Sequence, residues 1–203
     1  MPSAGAIIAS GMTMQAFTFF DTAIGRCGLA WTPRGINAVL LPERREIDAW
    51  RRVLRMFPDA VEARPTGEAD RAVRALRAHL QGEDSEIDAI ALDLSAIAPF
   101  NQRVYAVTRA IPRGETLTYG EVAKRLGASG AARAVGRALG QNPIPVIVPC
   151  HRVLAANGAT GGFSANGGVV TKFRLLAIEG AKATSAPTLF DVTFSIPPRR
   201  PDG

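Results

Sequence analysis

The sequence is poor in the residues that stabilise small secreted or metal-binding domains. Its 203 residues include only two cysteines and two histidines. Cys27 and Cys150 are too few and too far apart for a disulfide framework, so we expect a reducing, cytoplasmic setting. No apolar stretch reaches the roughly eighteen residues of a membrane span. The N-terminus lacks a basic region before its short apolar patch, so we expect no secretory signal and no membrane anchor.

Acidic residues are scarce in the second half of the chain. Residues 1–95 carry eleven Arg and thirteen Asp or Glu, whereas residues 96–182 carry eleven Lys or Arg and three Glu. The net charge of +6 therefore arises from the second half. A basic half beside a near-neutral half is typical of a nucleic-acid-binding protein. A basic domain without such a partner would have the same charge, so charge alone leaves both interpretations open.

Apolar periodicity predicts an α/β protein with two domains. We expect a small N-terminal α/β domain with a short β-sheet over residues 1–95, of which about the first 14 are flexible. A mostly helical C-terminal domain should follow over 96–182, and 183–203 should form a poorly ordered tail. In the first domain, two β-rich runs occupy 16–42, helices occupy 46–57 and 67–81, and 87–94 is a strand or an extended segment.

The cysteine and the histidine of the first domain are both interpreted as structural. Cys27 lies in a strand-like segment and is expected to be a small core residue. His79 ends the second predicted helix, where a cation is favourable, and no other Cys or His lies near it in the sequence.

The second domain contains a candidate helix-turn-helix. A first helix is predicted by apolar residues at helical spacing: Phe100, Val104, Val107 and Ile111. Thr118 and Glu121 then have the spacing of a capping box that opens a second helix. After a glycine-containing turn, "AARAVGRALGQN" predicts a helix of small residues that ends at Gly140 and carries Arg133 and Arg137. Two short helices in this order are typical of DNA-binding proteins, although tight helix–helix packing also favours small residues.

The stretch "PIPVIVPCHRV" (143–153) places one of the two cysteines directly beside one of the two histidines. Its three prolines exclude a helix, so we expect a stiff, extended, mostly buried segment. A thiolate nucleophile needs help in lowering a pKa of about 8.5, which a histidine backed by a carboxylate can supply. Glu179, on a helix predicted over 170–182, would complete a relay with Cys150 and His151.

Several functions remain open for this pair. They are a thiol hydrolase, a redox thiol, a thiol that accepts a group from a nucleic acid, and an inert buried cysteine beside a surface histidine. A redox pair would need a second nearby cysteine, and a hydrolase would not need the helix-turn-helix.

These motifs together resemble a known family. "PCHRV", preceded by "AARAVGRALGQNPIPVIV" and followed by "GGFS" and "LLAIEG", is similar to the O6-alkylguanine-DNA alkyltransferases, or methylated-DNA–protein-cysteine methyltransferases. The resemblance covers residues 97–182, and the first half resembles the family's variable α/β domain only loosely. It implies a monomer that binds double-stranded DNA from the minor groove and flips an O6-alkylguanine out of the stack. It would then transfer the alkyl group once and irreversibly to Cys150, without a cofactor.

The resemblance also implies individual roles. Cys150 would accept the alkyl group, while His151 would act as base through a water with Glu179 behind it. Asn142 would hold the turn before the cysteine, and Tyr119 would donate its hydroxyl to guanine N3. Arg133 would enter the duplex in place of the flipped nucleotide. Further substrate- or DNA-contacting positions would be Ala131, Ala132, Arg137, Pro145, Arg152, Val153, Phe163, Ser164 and Lys172.

Some details of the base pocket follow from the same resemblance. The carbonyls of Cys150 and Val153 would read the guanine amino group, and the Ser164 N–H would bind O6. Phe163 stands where many members have Tyr, and the "SANGG" loop is slightly longer than usual, so the size limit on the alkyl group stays open. Cys27 and His79 do not form the Cys/His set that binds structural zinc in some relatives, so we expect no metal.

The resemblance leaves two competing functions to consider. One is a lesion-binding protein of the alkyltransferase-like type, but such proteins replace the acceptor cysteine. The other is a helix-turn-helix regulator, which would normally be a dimer in the major groove and would have no need of a Cys-His pair.

Overall fold

The first part of the chain forms a four-stranded sheet. The structure, a computed structural model, describes residues 14–156 and 168–181. The strands are β1 (Ala16–Thr22), β2 (Gly25–Thr32), β3 (Gly35–Leu40) and β4 (Val61–Glu62). Their order is β3-β2-β1-β4, with antiparallel pairing among the first three and β4 parallel to β1. We expected two β-rich runs in 16–42, and the structure has three strands because a tight turn at Ala23 and Ile24, which lacks Pro or Asn, separates β1 from β2.

Two helices flank this sheet, and their predicted positions are confirmed. They are α1 (Glu46–Met56) and α2 (Gly67–Leu80). Val53 and Trp50 of α1 pack with Phe17 and Leu40 in a small cluster, while α2 contributes to the larger core. Residues 87–94, expected to be a strand or an extended segment, begin with a 3₁₀ turn, Ile87–Ala89, and continue as an extended segment that makes one bridge to β3. Cys27 is buried in β2, as expected of a core residue.

The second part of the chain is mostly helical, as expected. Its elements are α3 (Pro99–Arg109), β5 (Leu117–Thr118), α4 (Tyr119–Arg125), α5 (Ala132–Gly140), a 3₁₀ turn (Cys150–Arg152), β6 (Val153–Leu154) and α6 (Gly168–Ile178). The two short strands β5 and β6 pair in parallel. Within the described ranges, none of the helices combines the length and the apolar character needed to cross a membrane.

Helices α4 and α5 form the predicted helix-turn-helix. The capping box is present: the Glu121 N–H donates to Thr118 Oγ1 at 3.2 Å, and the Thr118 N–H donates to Glu121 Oε2 at 2.6 Å. Gly127 and Gly130 in the connecting turn have φ values of +70° and +91°, which favour glycine. The turn therefore depends on glycine twice, once at the end of α4 and once before α5.

One continuous core joins the two parts. Buried residues from Phe20 in β1 to Leu175 in α6 belong to the same apolar cluster. Hydrogen bonds also cross between the parts: the Val39 N–H in β3 donates to the Pro143 carbonyl at 2.9 Å, and the Arg174 guanidinium donates to the carbonyl of Ala23 at 2.8 Å. The segment that carries Cys150 is thus anchored on the N-terminal sheet.

The capping box generates a stability prediction. Thr118→Ala removes the side-chain acceptor at the start of α4 and should lower the free energy of unfolding by about 1 kcal/mol. Thr118→Ser keeps a hydroxyl at the N-cap and is the matched control, with an expected loss of only a few tenths of a kcal/mol. Chemical denaturation of the three proteins checks this, and equal losses in the two variants would show that the cap does not stabilise α4.

Candidate active site

The segment before Cys150 is a buried turn, so our expectation of an extended run is wrong. The Val148 N–H donates to the Ile144 carbonyl at 2.8 Å, and Pro145 and Val148 form a bridge. Val146 has a φ of +74°, a left-handed conformation that a β-branched residue adopts only when its surroundings impose it. Prolines exclude a helix but permit both an extended run and a tight turn, so the sequence did not distinguish between these two conformations. The segment is buried, as expected.

Asn142 ties this turn together. It follows α5 and donates from Nδ2 to the Val148 carbonyl at 2.9 Å, while its Oδ1 accepts from the Ile144 N–H at 3.0 Å. Its amide also interacts with the Cys150 thiol and favours the thiolate. One side chain therefore links the end of α5, the turn and the reactive sulfur.

Cys150 and His151 both lie in the 3₁₀ turn that follows. Cys150 is 9% exposed and His151 is fully buried. The His151 Nε2 lies 2.8 Å from Glu179 Oε1. Because a carboxylate accepts, His151 carries its proton on Nε2 and presents a bare Nδ1. Among the described residues, that Nδ1 is the one buried side-chain nitrogen or oxygen without a hydrogen-bond partner.

Glu179 is the centre of a buried polar cluster. Arg152 donates to both of its oxygens, from Nε to Oε2 at 2.8 Å and from Nη2 to Oε1 at 2.9 Å. Oε1 also accepts from His79 Nε2 at 2.8 Å, besides the bond from His151. We interpreted His79 as a structural residue at a helix end, and the structure places it in this cluster. No local pattern marks that contact, since the two residues are 100 positions apart.

The environment sets the protonation of the three relay groups. Burial alone would raise the pKa of Glu179, but hydrogen bonds from His151, His79 and Arg152 hold it well below its ordinary value, so the carboxylate is ionised. Burial lowers the pKa of His151, and the bond to Glu179 offsets part of this. Burial raises the pKa of Cys150 against the opposing effects of Asn142 and Lys172. The resting pair is therefore a thiol beside a neutral imidazole.

Two residues expected to contact substrate or DNA lie in the protein interior instead. The Arg152 side chain is buried against Glu179, and its Nη1 donates to the Ile111 carbonyl at 2.6 Å. Lys172 is also buried, and its Nζ donates to the Val153 carbonyl at 2.6 Å. Both cations are hydrogen-bonded within the protein, and their contact with substrate or DNA stays a prediction. Arg152 donates to Glu179, while Lys172 favours the thiolate form of Cys150 and donates to the Val153 carbonyl, which we assigned to the guanine amino group.

The aromatic residues near Cys150 include one that sequence reasoning missed. Tyr119, at the start of α4, is half-buried, and burial and the nearby Cys150 raise its pKa. Tyr105, on α3, is fully buried, and its hydroxyl donates to the Ala138 carbonyl of α5 at 3.0 Å. Burial and Cys150 raise the pKa of Tyr105 to about 12. Tyr105 thus links α3 to α5 near Cys150, a contact that helical periodicity does not reveal.

The remaining predicted residues lie around this centre or outside the described ranges. Arg133 and Arg137 are exposed on α5, and Ala131 and Ala132 are half-buried at its start. Pro145, in the turn before Cys150, and Val153, at the start of β6, are both buried. Phe163, Ser164, residues 165–167 of the "SANGG" loop and the 183–203 tail lie outside the described residues, while Gly168, the last residue of that loop, begins α6. Within the residues that are described, no group of three or more His, Cys, Asp or Glu side chains is placed to hold a metal ion.

Glu179→Gln should make the free energy of unfolding depend less steeply on pH in the acid range. Below pH 4.5, the ordinary pKa of the group, the unfolded chain binds a proton that the folded chain does not, because the folded pKa is depressed. The wild type should therefore lose about 1.4 kcal/mol of unfolding free energy per pH unit from this group as the pH falls, and the variant should not. Chemical denaturation between about pH 5 and pH 3 measures both slopes, and parallel curves would contradict an ionised Glu179.

Comparison with known proteins identifies one family. A family profile described as "6-O-methylguanine DNA methyltransferase, DNA binding domain" matches residues 99–181. The methylated-DNA–protein-cysteine methyltransferase of Mycolicibacterium paratuberculosis is 44% identical over 144 residues, which are 68% of this chain and 85% of the relative.

Solved structures share the fold described above. The crystal structure of Mycobacterium tuberculosis OGT in complex with DNA has a TM-score of 0.68 at 37% identity, and the match covers 81% of this chain and 92% of that one. The O6-methylguanine-DNA methyltransferase of Pyrococcus kodakaraensis has a TM-score of 0.59 at 26% identity, with coverage of 83% and 100%. This chain belongs to the methylated-DNA–protein-cysteine methyltransferases, a family named for moving a methyl group from DNA to a cysteine of the protein.

Proposed function

We propose that the protein repairs double-stranded DNA by moving the alkyl group of O6-alkylguanine to Cys150 Sγ. The observation that carries the proposal is the arrangement behind the thiol. His151 is fixed by an ionised Glu179 with its proton on Nε2, which leaves a buried Nδ1 free to take the thiol proton. A cysteine that served only for packing would need no such relay.

The transfer balances without a cofactor. The thiol proton passes through a water to His151 Nδ1, and the sulfur attacks the alkyl carbon in line with the bond to O6. A C–S bond forms as the C–O6 bond breaks, and the electron pair of the broken bond stays with guanine. Tyr119 donates a hydrogen bond from its hydroxyl to guanine N3 as this charge develops, and the proton taken up by His151 then neutralises the guanine anion by way of solvent. Repaired guanine and a thioether are the products.

Access to O6 requires that the nucleotide leave the duplex. O6 lies within the stacked helix, where the sulfur of a buried cysteine cannot approach it in line. Helix α5 is suited to the task because its exposed Arg133 can fill the space of the flipped nucleotide. The small Ala131 and Ala132 at its start allow close approach of the backbone. We therefore place α5 in the minor groove, where such insertion is common.

The acceptor, the relay and the helix-turn-helix all come from one chain, and we infer that it acts as a monomer. We place the boundary between its two domains near residue 95. Both cysteines are free, and a reagent that depends on a free thiol suits a reducing cytoplasm. A hydrolase would regenerate its thiol, whereas a thioether has no leaving group that water or disulfide exchange can displace. One protein molecule should therefore repair one lesion.

Mass spectrometry after incubation with a duplex that contains O6-methylguanine tests the proposal directly. We expect one methyl group per chain, located on Cys150, with a plateau set by protein concentration and not by time. Cys150→Ala should accept no methyl group but should bind the same duplex within a few-fold of the wild type, because the role of the thiol is chemical. Release of repaired duplex well beyond equivalence would rule out the single-use mechanism. Loss of binding in the variant would indicate a structural cysteine.

Arg133→Ala should impair repair of duplex far more than repair of the free base O6-methylguanine. Arg133 acts only when a stacked nucleotide must be kept out of the helix. Arg137→Ala is the matched control, since it removes the same charge one turn away on α5. Arg137→Ala should reduce the salt dependence of DNA binding by about one counterion. It should not impair repair of the duplex more than repair of the free base. Equal losses of Arg133→Ala on duplex and free base would contradict insertion.

A further inference from the structure

His79 connects the N-terminal part of the chain to the relay. It lies near the end of α2 and is buried. Its Nε2 is 2.8 Å from Glu179 Oε1, so this nitrogen carries a proton and donates it to the carboxylate. The Ser85 hydroxyl lies 3.4 Å from the other ring nitrogen, Nδ1, and can donate to it. His79 is thus held in one tautomer from both sides, as a relay histidine would be.

His79 and His151 share the same acceptor atom. Both Nε2 atoms lie 2.8 Å from Glu179 Oε1, and this oxygen also accepts a hydrogen bond from Arg152 Nη2 at 2.9 Å. Each donor withdraws negative charge from the oxygen and weakens its attraction for the others. The bond that His79 makes must therefore affect how well Glu179 stabilises a proton on His151.

Resting on the transfer function proposed above, we propose that His79 is a positioning residue of this reaction. From the N-terminal domain, it shares the relay carboxylate with His151 and limits how strongly that carboxylate favours the protonated form of His151.

The charged groups around the cluster determine the direction of the effect. Glu179 is faced by His79 from α2 and by His151 and Arg152 from the 3₁₀ turn. Arg113 lies beside it and donates to the Ile178 carbonyl, while Lys172 faces Cys150. Burial lowers the pKa of His151, Glu179 raises it, and Arg152 lowers it further. Because His79 donates to the same Glu179 oxygen as His151, removal of His79 should strengthen the bond between Glu179 and His151 and raise the pKa of His151.

The pH dependence of transfer reports this change. His151 must be neutral to accept the Cys150 proton, so the rate falls on the acid side as His151 becomes protonated. Without His79 this fall should begin at higher pH. If His79 only held the two domains together, its removal would change the free energy of unfolding and would leave the acid side of the pH–rate profile unchanged.

The test compares two substitutions at the same position. His79→Leu removes the donor, whereas His79→Gln keeps a neutral N–H that can reach Glu179. The sequence has only two histidines, so each variant leaves His151 as the sole imidazole and its ring signals need no further assignment. Histidine-ring ¹H–¹⁵N spectra of the free full-length protein give the His151 titration. The rate of methyl transfer from an O6-methylguanine duplex, followed between about pH 5 and 8, gives the acid limb.

We expect the His151 midpoint and the acid limb of His79→Leu to lie about half a pH unit or more above those of His79→Gln. His79→Gln should stay close to the wild type. Arg174→Gln, which breaks interdomain hydrogen bonds to Ala23 and Ile24 away from the relay, is the control and should shift neither. If His79→Leu does not fold, His79→Asn takes its place, because the shorter amide keeps polarity but cannot reach the carboxylate.

The proposal would be overturned if His79→Gln and His79→Leu had the same His151 titration midpoint and the same acid side of the pH–rate profile. The same would hold if Arg174→Gln produced the same shift. A wild type that carried no methyl group after incubation would instead refute the proposed function. The titration of His151 involves no DNA, so it would still decide the role of His79 in that case.

Discussion

The buried carboxylate of Glu179 accepts hydrogen bonds from Arg152, His151 and His79, and the geometry of the active site depends on all of them. An ionised group in the interior is stable only if its acceptor capacity is filled, because removal of one partner of a buried ion pair typically costs about 3–5 kcal/mol. The donors come from α2 and from the 3₁₀ turn of Cys150, so filling that capacity also holds the two parts of the chain together. The arrangement of the candidate active site and the packing of the two parts of the chain therefore depend on the same contacts.

A second constraint acts on the other side of the cysteine. Val146 occupies a left-handed conformation that costs about 1–3 kcal/mol for a residue of its kind. Asn142 holds the turn from inside, and the hydrogen bond from Val39 to Pro143 fixes it to the edge of the N-terminal sheet. The sulfur is therefore held between a strained, tethered turn and the Glu179 cluster. Such preorganisation leaves little adjustment to be made for the proposed transfer.

Local features of the sequence predicted local features of the structure well. The capping box of Thr118 and Glu121, the helix that carries Arg133 and the pairing of a cysteine with a histidine all depend on spacings of a few residues. The partners of His79 and Arg152 were not predicted, because burial and long-range contacts, which no short pattern encodes, decide them. The turn before Cys150 was missed for a different reason: proline excludes the helix without choosing among the remaining backbone conformations.

The resting state of Cys150 suits an acceptor that is used once. Burial raises the pKa of the thiol, so the free protein holds it protonated and protects it from unrelated electrophiles and oxidants. His151 is equally held neutral, which means that charge separation must occur when the substrate is in place. Lys172 and Asn142 then favour the thiolate, and the ionised Glu179 stabilises the imidazolium. An enzyme with many turnovers would have to restore its thiol each time, whereas the proposed transfer ends in a C–S bond at Cys150. Among the described residues around Cys150, none is suited to break it.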